Sequence, residues 1–175
     1  VARNNSIKQA KGRFIAFLDS DDFWHKDKLT KQISFMLSSD VAFSFTAYQK
    51  VNAGELKGTI IPPQSTVYSK LLQGNVIGCL TAIYDAEKLG KNYMPLIRKR
   101  QDMGLWLQLL KLTDKAFCLQ EVLAFYRIDS GMTQNKLKIL KWQWCFYRDV
   151  VRLPFFKSLF YFVIYSFKAT FKVLK

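Results

Sequence analysis

Asp19, Asp21 and Asp22 stand together at the end of the apolar run Phe14-Ile-Ala-Phe-Leu18, and clustered carboxylates are groups that can do chemistry. Like charges this close repel one another and are costly to take out of water, which suggests a divalent cation; for hard oxygen ligands that means Mg²⁺ or Mn²⁺. Such an ion in turn suggests a phosphate-bearing substrate. An apolar run of strand length, bounded by Gly12 and by acids, reads as a buried strand, so the acids lie where it leaves the sheet. That edge is where open α/β sheets bind ligands. A blander reading stands beside this one: acids at i, i+2 are common by chance, and Asp21 or Asp22 could cap the helix marked by the spacing of Leu29, Ile33, Met36 and Leu37.

Other elements must position these acids. Val41 to Tyr48 alternates as a strand does, and Asn52-Ala-Gly54 signals a turn. Pro62-Pro63 closes an apolar run, Ser69 to Gln73 reads as a short helix stopped by Gly74, Asn75 to Tyr84 as a strand, and Asp85 to Gly90 as a helical turn. Leu105, Leu109 and Leu112 recur at helical spacing, which puts Asp102 in a first turn, where the macrodipole favours the charged carboxylate and is expected to lower its pKa. An acid there is also a common cap. His25, the sole histidine, sits beside Trp24 and Lys26 and reads as incidental. Cys79, Cys118 and Cys145 show neither metal spacing nor a pairing pattern, which fits a reduced compartment and a packed core.

Composition excludes disorder and fibre: half of the 175 residues are hydrophobic, enough for one core. The net charge is +14. From Lys136 onward there are nine basic residues and one acid. Such a cluster points to nucleic acid or anionic lipid, and no nucleic-acid recognition motif accompanies it. Residues 153–175, laid on a helix, place Lys157, Lys168, Lys172 and Lys175 in one stripe on an otherwise aromatic and aliphatic cylinder. Its uncharged stretch, Ser158 to Phe167, is about half the roughly 20 residues that a spanning helix needs. An interfacial helix on an anionic leaflet is expected, with Tyr161 and Tyr165 near the polar boundary; a helix docking on another domain or subunit is the alternative. Pro154 breaks it from a preceding helix, Lys136 to Arg152. No internal repeat or low-complexity segment is visible.

Three blocks give the chain a family likeness. Ala2-Arg-Asn4, Ala10-Lys-Gly12 and the strand ending in Asp-Ser-Asp-Asp, then Arg100-Gln-Asp-Met-Gly-Leu-Trp-Leu-Gln-Leu-Leu110, then Phe125-Tyr-Arg-Ile-Asp-Ser-Gly-Met-Thr-Gln-Asn-Lys136 resemble, in order, the motifs of the family 2 glycosyltransferases, inverting enzymes of the GT-A fold. The resemblance implies an α/β fold: a partial GT-A domain, with a Rossmann-like mixed sheet and flanking helices, over residues 1–135, followed by a basic amphipathic helical tail over 136–175. It implies an inverting sugar transfer from a nucleotide-diphospho-sugar donor to a saccharide or lipid-linked acceptor in surface polysaccharide synthesis. Asp19 would contact the donor ribose, Asp21 would ligate Mn²⁺ or Mg²⁺ on the diphosphate, Asp102 would be the general base, and Arg3 would face the nucleotide. Gly78 to Thr81 would lie by the acceptor. Asp129 stands where many members carry His.

The chain opens Val-Ala-Arg without an initiator Met, and the likeness enters partway through the family's fold. A fragment lacking the first strands of the nucleotide-binding sheet is therefore expected, binding nucleotide sugar poorly by itself. The expected partners are donor, acceptor and an anionic membrane surface, with no nucleic acid, at the cytoplasmic face of a bacterial inner membrane. The alternative is an inactive fragment that acts only as a membrane-associated or interaction module.

Overall fold

A computed structural model of the chain describes residues 2–128 and 136–171. Asp129, Lys172 and Lys175 lie outside the described residues. The elements run α1 (Ala2–Gln9), β1 (Phe14–Ala16), β2 (Phe23–Trp24), α2 (Lys28–Ser38), β3 (Phe43–Asn52), β4 (Glu55–Ile60), β5 (Ser65–Thr66), α3 (Tyr68–Leu72), β6 (Ile83–Asp85), α4 (Ala86–Leu89), α5 (Gln101–Leu109), β7 (Ala116–Arg127), α6 (Lys136–Cys145) and α7 (Phe155–Phe171). They build one mixed sheet in the order β1-β6-β3-β7-β2, with β4 added on β3 and β5 on β7. The pairing of β3 with β7 is parallel and the other pairings are antiparallel.

β3 is the spine of this sheet. Its first five residues, Phe43 to Ala47, are buried without alternation, because helices cover both faces there. The β3–β4 hairpin turns at Ala53 and Gly54, both with positive φ, so the two-residue turn matches the twist of its strands. α5 lies against the sheet with Met103, Gly104, Leu105, Trp106, Leu107 and Leu109 buried. Trp106 is its anchor, with ring centroids 5.4 Å from both Phe17 and Phe43.

Four sequence expectations need correction. Asn75 to Tyr84 is not a strand: a loop leads into a 3₁₀ turn, Cys79–Thr81, and only Ile83–Asp85 pairs as β6. The helix expected from Leu29, Ile33, Met36 and Leu37 does form as α2, although it buries Lys28, Gln32 and Met36 and leaves Leu29 and Leu37 exposed. Leu112 lies beyond α5 and is exposed, and Cys145 is exposed rather than in a core. The last correction concerns α7, which folds back on the domain. α6 passes into a π-helical segment, Phe146–Val150, and Arg152 turns the chain through a left-handed conformation ahead of Pro154. α7 then buries Ser158 and packs Tyr161 and Phe162 on the core. Tyr161 and Tyr165 therefore face the protein.

Candidate active site

The strand β1 empties into a tight turn, in which the Asp22 amide donates to the Asp19 carbonyl at 3.1 Å. Ser20 and Asp21 occupy its apex, which sends the first and last acids to one side. Asp19 and Asp22 line a cleft of about 520 Å³ that Arg3, Tyr48, Cys79, Arg98, Lys99, Arg100, Asp102 and Tyr126 also line. Asp21 is exposed at the turn's apex and is not part of this lining. The cleft therefore gathers three of the four residues singled out from the sequence, namely Arg3, Asp19 and Asp102. It adds Asp22, whose signal was the i, i+3 spacing across a turn.

Asp22 does not cap α2. Its Oδ1 accepts the Arg127 amide at 3.0 Å, which ties the acidic turn to the end of β7, while Asp27 precedes α2 without a side-chain cap. Burial holds the Asp22 carboxyl above its usual range, against that amide bond, with the charges of Asp21 and Asp19 adding to the rise. The Arg3 guanidinium donates to Asp19 Oδ1, and this bond raises its pKa despite partial burial. Among the described residues, no three His, Cys, Asp or Glu side chains converge as a metal-binding group. The donor chemistry of the turn still fits a hard cation that takes one or two carboxylates and fills its remaining positions with water and phosphate oxygens.

Asp102 sits in the first turn of α5, behind Arg100, which adopts a left-handed conformation with φ of 63°. Asn75 Nδ2 donates to its Oδ2 at 3.1 Å, and Asn75 Oδ1 accepts the Ile77 amide at 3.0 Å, so the loop after α3 fixes the carboxylate. Desolvation by burial raises the Asp102 pKa, outweighing the Met103 amide and the charges of Arg3 and Arg100. The expected lowering by the helix terminus is thus overruled. Cys79, half-buried beside Asp102 and Arg3, has its thiol pushed up to about 12 by desolvation, which leaves it an inert wall.

Two contacts make α1 and α5 a unit across this cleft. Asn4 clamps the backbone of Met94, with Nδ2 donating to its carbonyl and Oδ1 accepting its amide, both at 2.9 Å. The next residue, Pro95, presses on Gly104, where a Cβ would come within 2.4 Å of the proline ring. A second groove, of about 620 Å³, runs between the β3–β4 hairpin and β2; its lining includes Phe23, Phe125 and Arg127 and no carboxylate.

An α/β sheet with an acidic turn at a strand end, facing a half-buried carboxylate on a flanking helix, is the GT-A arrangement. The glycosyl transferase family 2 model matches residues 1–91, and the chain belongs to that family. It is 44% identical over 177 residues to TuaG of Bacillus subtilis (strain 168), named as a teichuronic acid biosynthesis glycosyltransferase, with 99% of this chain and 70% of that protein covered. It is 41% identical over 155 residues to WfgD of Escherichia coli, a UDP-Glc:alpha-D-GlcNAc-diphosphoundecaprenol beta-1,3-glucosyltransferase, with 87% of this chain and 61% of that protein covered. The crystal structure of S. aureus TarS 1-349 in complex with UDP-GlcNAc superposes with a TM-score of 0.62 at 16% identity, over 93% of this chain and 50% of that one. That likeness establishes the fold.

Proposed function

We propose that this chain carries the acceptor-activating half of an inverting glycosyltransferase that moves a sugar from a nucleotide-diphospho-sugar to a saccharide or lipid-linked saccharide in surface polysaccharide synthesis. The observation that carries this reading is the placing of Asp102, its pKa raised by burial, in the same cleft as the Arg3–Asp19 pair and Asp22. The names of TuaG and WfgD support the polysaccharide and lipid-linked setting.

Asp102 accepts the proton of the acceptor hydroxyl. A positioned carboxylate of raised pKa is a stronger base than an ordinary one, and such a group contributes about 10²- to 10⁴-fold. Asn75 holds the carboxylate in place through the transfer. Arg3, oriented by Asp19, faces the nucleotide, and Arg98, Lys99 and Arg100 give the same wall the positive charge that a diphosphate needs. Asp21, beside Asp19, would hold Mn²⁺ or Mg²⁺, which supplies Lewis-acid stabilisation of the departing diphosphate. Attack from the face opposite the leaving group inverts the anomeric carbon without a covalent intermediate.

The setting at an anionic membrane surface rests on α7. Its outward face carries Phe156, Leu159, Phe160, Val163 and Phe167, with Phe156 82% and Phe167 63% exposed. At about 100° per residue, Lys157 and Lys168 fall on the border between this face and the docked one. Lysines bordering an exposed apolar face suit a helix lying in the headgroup region. No helix among the described residues is long and apolar enough to cross a membrane.

UDP release from UDP-glucose and from UDP-GlcNAc, with Mn²⁺ or Mg²⁺ and a lipid-linked GlcNAc acceptor, tests the reading. Asp102→Asn and Asp21→Ala are each expected to abolish transfer; full turnover by Asp102→Asn removes that residue from the base role. Flotation with anionic against neutral liposomes tests the α7 surface, and equal recovery with both refutes the charge-assisted docking.

A further inference from the structure

Two side chains of α7 reach the two segments that flank Asp102 in space. Tyr165 Oη accepts a hydrogen bond from Arg100 Nη2 at 2.8 Å, and its ring lies 5.2 Å from the guanidinium carbon. Lys168 Nζ donates to Gln73 Oε1 at 2.9 Å. Arg100 is the residue that opens α5, two positions before Asp102, and Gln73 stands two positions before Asn75, the hydrogen-bond donor to Asp102. One helix, distant in sequence, thus grips the positive neighbour of the carboxylate and the segment that carries its polar neighbour.

We propose that α7 is a strut for the candidate base, with Tyr165 and Lys168 acting as positioning residues that hold Arg100 and the Gln73–Asn75 segment against Asp102. The proposal rests on the reading of Asp102 given above. An arginine side chain with four rotatable bonds spreads its charge over a wide volume, and a hydrogen bond plus ring contact confines it. Here the confined position is beside the carboxylate. Asp102 meets charged or titratable groups from every side of its cleft: Arg3 on α1, Asp19 and Asp22 on the acidic turn, Tyr48 on β3, Tyr126 on β7, Cys79 on the 3₁₀ turn, and Arg98, Lys99 and Arg100 ahead of α5. Arg3 is already committed to Asp19, which leaves Arg100 as the cation whose placing α7 decides.

The test reads the carboxylate directly. Side-chain carboxyl NMR of the full chain labelled at aspartate, with the Asp102 signal assigned by its loss in Asp102→Asn, gives its titration midpoint. Tyr165→Phe keeps the ring and removes the acceptor, and is expected to move the midpoint up by about half a pH unit, with Arg100→Gln moving it by about one unit. Lys168→Met is expected to broaden the Asn75 side-chain amide signals and to move the Asp102 midpoint less. A midpoint unchanged in both Tyr165→Phe and Lys168→Met, or a change confined to the melting temperature, overturns the strut. Turnover of UDP-glucose by Asp102→Asn bears on the base assignment alone, so the two failures are separable.

Discussion

Lys28 is fully buried in α2, with Nζ 4.5 Å from the centre of the Trp24 ring and 2.7 Å from Gln32 Oε1. Desolvation lowers its pKa from 10.5 to about 7. Between those values the unfolded chain binds more protons than the folded one, so stability rises with pH; below about pH 7 the whole penalty applies, and above the ordinary value it is gone. At 1.36 kcal/mol per unit the full penalty is ~5 kcal/mol, and integrating the linkage gives a gain of ~2 kcal/mol from pH 7 to pH 9. Cys79 and Cys118, raised by burial to about 12 and about 11, begin to oppose the trend as pH nears their ordinary value of 9.0. Lys28→Met removes the titration while keeping the chain length, at the cost of an unpaired Gln32 oxygen and a lost cation–π contact, together ~1–3 kcal/mol. Urea denaturation of both proteins at several pH values separates these effects, because the second is independent of pH. The expected result is a difference in stability that shrinks or reverses in the variant's disfavour by ~2 kcal/mol from pH 7 to pH 9. Parallel curves refute the reasoning and mean that Lys28 remains charged or hydrated.

Other outcomes follow from single contacts. Gly104→Ala drives a methyl into Pro95 and is expected to destabilise by ~1–3 kcal/mol in denaturant melts, although alanine favours a helix by about 1 kcal/mol. Burial raises the Asp85 pKa less than Arg13 and the Glu87 and Lys88 amides lower it, so the carboxylate contributes stability above its ordinary value of 3.8 that is lost as pH falls below it. Asp85→Ala, which removes this cap of α4, should cost ~1–2 kcal/mol at neutral pH in thermal melts, the gap closing in acid. Because Asp102 is raised, the acid limb of kcat/KM should lie above the ordinary carboxylate range, with activity increasing as pH rises through it; a limb near pH 4 contradicts the burial argument.

Local chemistry was legible in the sequence and tertiary chemistry was not. The turn at Asn52-Ala-Gly54, the stop at Gly74 and the helical turn from Asp85 to Gly90 all appear as expected, since positive φ and side-chain capping are properties of a few neighbouring residues. The Asn75–Tyr84 stretch reads as a strand by composition, but Asn75 bonds the Ile77 amide and Trp24 Nε1 donates to the Leu80 carbonyl at 2.7 Å, so its polar backbone is spent away from the sheet. The inner face of α2 was invisible for a similar reason. Gln32 is buried because Ser44 and the Thr81 carbonyl accept its amide, and those partners come from β3 and the 3₁₀ turn. Motif blocks marked Arg3, Asp19 and Asp102, and the carboxylate cluster already included Asp22; that these four share one cleft with Tyr48 and Tyr126 became visible only when the turn and the two long strands met. The proton affinity of Asp102 was misjudged because helix position is local and desolvation is not.

The clamp of Asn4 on Met94 and the seat of Pro95 on Gly104 have a consequence for reach. On the proposed roles, Arg3 on the nucleotide side neighbours Asn4 and Asp102 on the acceptor side is two positions from Gly104, so the span between them is gauged by Met94 and Pro95, which lie outside the cleft lining. Lengthening or shortening residues 90–97 would therefore reset the working gap as a spacer does between two jaws, accommodating bulkier or slimmer alcohols while the groups that line the cleft stay the same.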